Sequence, residues 1–256
     1  MTIKLNKTVR EIAIEHPASV RVFESLGIDY CCGGKRSLQE ASQRANVSLD
    51  RLLDLLSAAE EQPLTEQANW AKAAIRDLVR HIVEQHHGYI RRESPRLISL
   101  LDKVVSRHRA GHKELKSIQD LFGAMLDELF AHMAKEENIL FPYLVKTEQA
   151  RSAGGTAPQA VFGSVEVPIS RMLADHDDAG ALTARIRALS GDFQTPDDAC
   201  PTYVAVYRGL AEFERDLHHH VHLENNILFP RALAMERSFA CAGNVCGRNE
   251  AADVHS

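Results

Sequence analysis

The chain has 256 residues, of which 45% are hydrophobic and 25% charged, and its formal net charge is −5. This composition excludes collagen-like, rod-like and wholly disordered chains, and the charge provides no basic surface for nucleic acid. No apolar run approaches the roughly 18 residues of a membrane span, and the N-terminal segment lacks the apolar region of a signal peptide. Five cysteines, an odd number, favour reduced thiols. We therefore expect a cytoplasmic globular protein without nucleic-acid or membrane partners.

The first 57 residues are predicted to form a small helical domain. Gly27 ends an apolar helical pattern, and the CCGG turn follows it. Ser37 with Glu40 three residues later has the spacing of a helix-capping box. Ser48 begins SLDRLLDLL, whose leucines share one helical face. Residues 58–70 are polar, contain a proline and are predicted to be a linker.

Residues 71–236 are predicted to be almost entirely helical. Loop-like composition covers 150–165 and 190–201, and Pro95 marks a third interruption. The remaining segments amount to four long amphipathic helices, so the predicted fold is an all-α four-helix bundle. We expect residues 237–256 to form a polar tail, with Cys241 and Cys246 exposed and Cys200 in a loop without a chemical role.

An internal repeat is the most informative pattern in the sequence. HMAKEENILFP begins at His132 and HVHLENNILFP begins at His220, a shift of 88 residues. Nearly the same shift carries His87 onto His176. The region is therefore interpreted as two helical hairpins, each with one histidine on its first helix and His-x-x-x-Glu on its second.

These residue types at this spacing point to a metal centre. Residues four apart on an α-helix lie on one side, so His132 pairs with Glu136 and His220 pairs with Glu224. Antiparallel hairpins would bring both pairs together inside the bundle. Exposed polar residues on amphipathic helices are the alternative, but the repeated register favours metal. Two buried carboxylates would each cost several kcal/mol without a compensating cation.

Other histidines compete for the ligand positions. The repeat favours His220 over its three neighbours at 218, 219 and 222, and it favours His87 over His86. His108 stays open from spacing alone. On one straight helix it would lie about 31 Å from His87, but a chain that doubles back near Pro95 would return it to the bundle. His112 is a weaker candidate, and His81 is predicted to be structural.

The ligand set predicts the metal. Five imidazoles and two bridging carboxylates would form about nine bonds to two six-coordinate ions. An oxo or hydroxo bridge would then leave about one position for a small molecule. Nitrogen and oxygen ligands at high coordination number favour iron or manganese over zinc, and the many histidines favour iron.

Cys31 and Cys32 form the second candidate site. Adjacent thiols chelate one metal poorly, so their value would lie in reactivity. Lys35 and Arg36 follow closely and would lower the thiol pKa. The alternative is two ordinary cysteines in a turn.

VRVFESLGIDYCCGGKRSLQEA resembles the N-terminal domain of the iron–sulfur cluster repair di-iron proteins, the RIC or ScdA/YtfE-type family. HMAKEENILFP, HDDAG at 176–180 and HLENNILFP resemble its hemerythrin-like domain, so the resemblance covers about residues 5–235. It implies a non-haem di-iron centre bridged by the two glutamates. The ligands it implies are His87, His108, His132, Glu136, His176, His220 and Glu224.

The resemblance also implies repair of iron–sulfur clusters damaged by nitric oxide or peroxide, with damaged iron–sulfur proteins as partners. We expect iron donation, assisted by Cys31 and Cys32. A nitric oxide reductase is the alternative from another class, and an O₂- or NO-binding sensor ranks last. A homodimer is one oligomeric state that the sequence allows.

Overall fold

The computed structural model describes residues 7–31, 34–60 and 70–243. Every regular element in these ranges is a helix, and one isolated bridge joins Thr8 to Ser37. The all-α prediction is therefore confirmed. The N-terminal helices are α1 (Val9–Glu15), α2 (Ser19–Ser25), α3 (Leu38–Arg44) and α4 (Leu49–Glu60).

Local capping explains where the N-terminal helices begin. Ser37 and Glu40 form the predicted capping box, with each side chain bonded to the other residue's backbone N–H. Thr8 and Glu11 form a second capping box at the start of α1, which the sequence analysis did not identify. Gly27, at φ +64°, lies just after α2 in the left-handed conformation that glycine adopts without strain.

Four rods follow, and three of them contain a π-helical segment. The first is α5 (Ile75–His81), π1 (Ile82–His87) and α6 (Gly88–His108). The second is α7 (Glu114–Lys135), π2 (Glu136–Leu140) and α8 (Phe141–Ser152). The third is α9 (Glu166–Leu189), and the fourth is α10 (Pro201–His222), π3 (Leu223–Leu228) and α11 (Phe229–Gly243).

The rods pack as a bundle, with α6 against α7 and α10, and α7 against α9. Two separate apolar clusters fill its interior. One includes Leu97, Phe122 and Phe213, and the other includes Leu140 and Leu228. The N-terminal helices enclose a third cluster of their own. Because the two bundle clusters are distinct, a layer between them is left for polar side chains.

Several boundaries differ from the sequence prediction, including the end of α8 at Ser152, inside the predicted loop 150–165. Pro95 lies inside α6, which continues unbroken to His108, so the chain does not double back there. Residues 58–60 belong to α4 and residues 237–243 to α11, whereas the sequence placed them in a linker and a tail. The remaining linker residues 61–69 and tail residues 244–256 lie outside the described part of the chain. No helix among the described residues is long and apolar enough to cross a membrane.

Candidate metal centre

Six of the seven side chains predicted as ligands meet in the middle of the bundle. All six are buried, and both glutamates have no exposed surface at all. Each of the four rods contributes at least one of them. They are His87, His132, Glu136, His176, His220 and Glu224.

The six side chains form two groups that share the carboxylates. In the first group, the Nε2 atoms of His87 and His220 lie 3.1 Å apart. In the second, the Nε2 atoms of His132 and His176 lie 3.0 Å apart. Each group therefore takes one histidine from each hairpin of the repeat.

Each glutamate faces both groups, with one oxygen toward each. Glu136 places Oε2 3.5 Å from His87 Nε2 and Oε1 3.2 Å from His132 Nε2. Glu224 places Oε1 3.1 Å from His220 Nε2 and Oε2 3.1 Å from His176 Nε2. Carboxylates in this position could each contact a cation in both groups.

The distances between the ligand atoms match those expected for atoms bound to a common metal ion. Two atoms bound at right angles to one ion at about 2.1 Å would lie about 3.0 Å apart, close to the separations seen here. Within the described residues, neither oxygen of Glu136 nor Oε2 of Glu224 has a hydrogen bond of acceptable geometry. Buried carboxylate oxygens without hydrogen bonds are costly, so their orientation toward the group centres indicates cation binding.

Each π-helical segment includes a residue of the candidate metal centre. π1 ends at His87, π2 begins at Glu136, and π3 contains Glu224. A π-segment inserts one residue into a turn and so changes the direction of the side chains around it, which is why such segments are frequent at functional sites. The sequence spacing assumed regular α-helix and did not predict these segments.

A second layer of hydrogen bonds orients three of the four imidazoles. His87 Nδ1 donates to Glu137 at 2.5 Å, and His176 Nδ1 donates to Asn225 Oδ1 at 2.7 Å. His132 Nδ1 donates to Asp175 at 3.3 Å. These bonds leave Nε2 of each ring as the atom that faces the centre. The sequence analysis missed Glu137, Asp175 and Asn225, although each is adjacent in sequence to a ligand or bridge.

The electrostatics of the centre are those of a site that requires positive charge. Burial lowers the pKa of His132, but the nearby negative charge of Glu136 outweighs burial and raises that pKa to about 9. Burial raises the pKa of Glu224, but His220 and His176 outweigh it and hold that pKa well below its ordinary value. Protons and metal ions therefore compete for the same imidazole nitrogens, and metal binding releases protons.

Comparison with known proteins agrees with this geometry. Residues 78–232 match the family described as Hemerythrin HHE cation binding domain, and residues 5–60 match ScdA_N, a Domain of Unknown function (DUF542). The "Iron-sulfur cluster repair protein YtfE" of Musicola paradisiaca (strain Ech703) is 36% identical over 230 residues, covering 90% of this chain and 97% of the relative. The same-named protein of Dickeya chrysanthemi (strain Ech1591) is 36% identical over 231 residues, covering 90% and 98%.

The chain belongs to the hemerythrin-like iron–sulfur cluster repair family. The family resemblance stated from the sequence is thereby confirmed. The Hemerythrin HHE cation binding domain match spans all six converging residues, which form two groups that could hold a metal ion.

His108 is the exception among the predicted ligands of this hemerythrin-like domain, and the structure corrects that assignment. It ends α6, 21 residues and about 31 Å along a continuous helix from His87. Its Nε2 lies 3.3 Å from Cys200 Sγ, and its ring packs against Tyr203. The family resemblance placed His108 among the ligands, and the chain reversal at Pro95 that would return it to the bundle centre does not occur.

The competing histidines occupy other positions around the centre. His86 is buried and pairs with Asp216 at 3.0 Å, while His222 is buried and hydrogen-bonded to Asn226. Burial, assisted by the charges of His219 and Arg10, lowers the pKa of His222 to about 3, so this ring stays neutral. None of these rings belongs to either metal-binding group.

Cys31 is buried where the N-terminal domain meets the hemerythrin-like bundle. It shares a cavity of about 390 Å³ with Lys35, Asn225 and Phe229. Its backbone N–H donates to Asp29 Oδ1 at 3.0 Å. Cys32 lies outside the described residues, and so does Cys246.

Gly34 is required in the CCGG turn by close packing. A Cβ at this position would lie 2.6 Å from the Tyr30 carbonyl oxygen and 2.9 Å from Arg10 Cβ. The Gly34 carbonyl accepts a hydrogen bond from the Arg10 N–H at 2.8 Å. Arg10 in turn donates to the Asn225 carbonyl at 2.9 Å, so the turn is connected to the bundle beside the centre.

Proposed function

We propose that this protein repairs iron–sulfur clusters damaged by nitrosative or oxidative stress in the cytosol, by donating iron. His87 and His220 would hold one iron, His132 and His176 the other, and Glu136 and Glu224 would bridge them. The observation that carries the proposal is the geometry of the carboxylates, each of which directs one oxygen to each histidine pair.

The chemistry of the donor atoms supports iron as the cargo. Both groups consist of imidazole nitrogens and carboxylate oxygens, and neither contains a thiolate. Such ligands suit iron at high coordination number, whereas structural zinc prefers four ligands that often include thiolates. Because the ligands are neutral imidazoles and shared carboxylates, protons can replace the metal as it leaves.

The position of Cys31 supports a part for the CCGG turn in transfer. Asn225, which accepts the hydrogen bond from His176 Nδ1, lines the same cavity as Cys31. One side chain therefore separates the thiol-bearing cavity from a metal ligand. We propose that Cys31 and Cys32 receive iron on its way to a damaged iron–sulfur protein.

Reactivation of a damaged dehydratase tests the proposal. The iron-loaded protein is mixed with a dehydratase whose [4Fe–4S] cluster has lost iron, in the presence of a ferrous chelator that free iron cannot escape. Recovery of dehydratase activity, with loss of iron from the repair protein, is expected. Recovery no greater than with matched free iron would overturn the proposal. Cys31→Ser should slow recovery without lowering the initial iron content.

A second candidate function, reduction of nitric oxide, is favoured by the ligand count. Each group offers four protein atoms, fewer than the roughly six that iron takes in octahedral sites, so small molecules such as NO or O₂ have positions to occupy. Sustained nitrous oxide formation over many turnovers with a reductant would support it. A single stoichiometric burst would leave repair as the function.

A further inference from the structure

A cavity separate from the metal-binding groups lies between the N-terminal domain and the bundle. Its volume of about 590 Å³ is within the range of small-molecule sites. Its walls come from α1 and α2 of the N-terminal domain and from α5, π1, α6, α10 and π3 of the bundle, so it exists only where the two domains meet. We call it the interdomain cavity and define it by Trp70, His81, His86, Tyr89, Arg92 and Asp216.

One side of the interdomain cavity is aromatic and the other is aliphatic. Trp70 stacks on His81 with ring centres 4.3 Å apart and an interplanar angle of 27°. His81 meets His86 edge-on at 5.6 Å. Pro17 and Val20 of the N-terminal domain also line the cavity. Flat aromatic faces beside aliphatic side chains suit a planar ring.

Two charged side chains add polar specificity. Asp216 pairs through Oδ1 with His86 Nδ1 at 3.0 Å, whereas its Oδ2 is buried and has no hydrogen-bond partner among the described residues. A buried acceptor of this kind calls for an N–H donor. The Arg92 side chain is 66% exposed, lies 5.8 Å from the centre of the Tyr89 ring, and makes only a long contact of 3.6 Å with the Glu93 carboxylate among the described residues. Its guanidinium is therefore available to an anionic group.

From these features we infer that the interdomain cavity binds a planar nitrogen heteroaromatic molecule with an anionic tail. Its ring lies beside Trp70 and His81, an N–H on its edge donates to Asp216 Oδ2, and its anionic group contacts Arg92. Flavin mononucleotide and adenosine monophosphate share this chemistry. The inference is independent of the proposed iron chemistry, because no residue of the cavity belongs to either metal-binding group.

The cavity is nevertheless connected to the metal centre. The ring of His86 stacks on that of His220 at 5.8 Å with an interplanar angle of 4°. A molecule resting on His81 and His86 therefore lies one imidazole away from a predicted metal ligand. A molecule bound in the cavity could therefore affect His220 through His86, without itself contacting the metal-binding groups.

Calorimetric titration of the full chain with each probe tests the inference. Flavin mononucleotide, riboflavin and adenosine monophosphate are titrated separately into metal-free and iron-loaded protein. Trp70 is the only tryptophan, so quenching of its emission by adenosine monophosphate reports directly on this cavity. Saturable binding of at least one phosphorylated probe is expected, and the difference between the two identifies the ring type. Absence of saturable binding by both phosphorylated probes at millimolar concentration would overturn the inference.

Matched variants locate the bound molecule. Arg92→Ala should weaken binding of the phosphorylated probe about tenfold and leave riboflavin unaffected, because one charge-assisted contact is lost. Arg76→Ala is the control, because the Arg76 side chain is 65% exposed and lies outside the cavity. Arg76 also forms an ion pair with the next residue in the chain, as Arg92 does. Equal effects of both variants would contradict the assignment.

A blocking variant addresses the aromatic wall. Ala71 is exposed and lines the cavity, so Ala71→Phe should occupy its space without disturbing the core and should abolish binding. Unchanged binding to Ala71→Phe, in a protein with unchanged circular dichroism, would place the probe elsewhere and overturn the inference.

Discussion

Two groups of histidines in the bundle show how burial separates a ligand from a surface residue. The four imidazoles at the centre are at most 2% exposed and direct Nε2 at buried carboxylates. His108 and His112, near the end of α6, are only half-buried, and His112 bonds to Asp198 and Glu114 through its two nitrogens. The internal repeat includes the buried group and does not include His108 or His112. In the buried group three carboxylate oxygens have no hydrogen-bond partner among the described residues, so metal binding is expected there.

The largest effect is expected from removing a shared carboxylate. Glu136→Leu deletes one ligand atom from each group, so iron content after reconstitution should fall from about two per chain to below one. Mössbauer spectra should lose the coupled pair. Glu128→Leu, at an exposed position of the same helix, is the control and should keep both irons. Two retained irons in Glu136→Leu, with the coupling intact, would rule out the bridge.

A smaller effect is expected from the residues that orient the ligands. Asp175→Asn weakens the acceptor for His132 Nδ1, and changes of this kind typically reduce metal affinity about 10–100-fold. Competition with a chelator of known affinity measures the change. Asp178→Asn, an exposed neighbour, should bind iron as the unaltered protein does. Equal iron affinities of the two variants would show that Asp175 does not orient His132.

The hydrogen-bonded pair of His112 and Asp198, near the end of α6, should make stability depend on pH. The hydrogen bond that His112 donates to Asp198 raises the pKa of His112, so this pair stabilises the folded state fully below His112's unfolded pKa of about 6.5. That contribution disappears as the pH rises through the folded-state pKa. His112→Gln should therefore lower Tm by about 2 °C or less at pH 5.5 and have a smaller effect at pH 9. Lys116→Gln, which breaks an exposed pair with Asp120, should show no such difference between the two pH values.

Replacing His108 is expected to have no effect on iron binding. His108→Ala should keep both irons and the same optical spectrum, whereas His176→Ala, at a ligand position, should lose at least one iron. Reconstitution of both variants side by side measures this directly. Loss of iron from His108→Ala in a folded protein would restore the assignment that the structure has corrected.

Much of the centre was predictable because a repeat constrains more than a motif does. The 88-residue shift selected His220 from four nearby histidines and aligned Glu224 with Glu136. His108 had no counterpart in the repeat, and the family resemblance alone placed it among the ligands. The spacing of His87 and His108 excludes a shared centre if both lie on one straight helix. Pro95 does not break α6, so that helix is continuous.

By itself, the sequence determined the helical class, the Ser37–Glu40 capping box and hydrophobic faces of the small domain, and the six residues that converge in the candidate metal centre. These properties depend on local periodicity and on an internal duplication, both of which are visible along one chain. Only the tertiary structure decided which histidines share a group, where the π-segments fall, and which acceptors orient the rings. Those features depend on how rods far apart in sequence pack across a common interior. The interdomain cavity belongs to the same class, because its walls come from two domains whose contact no local pattern encodes.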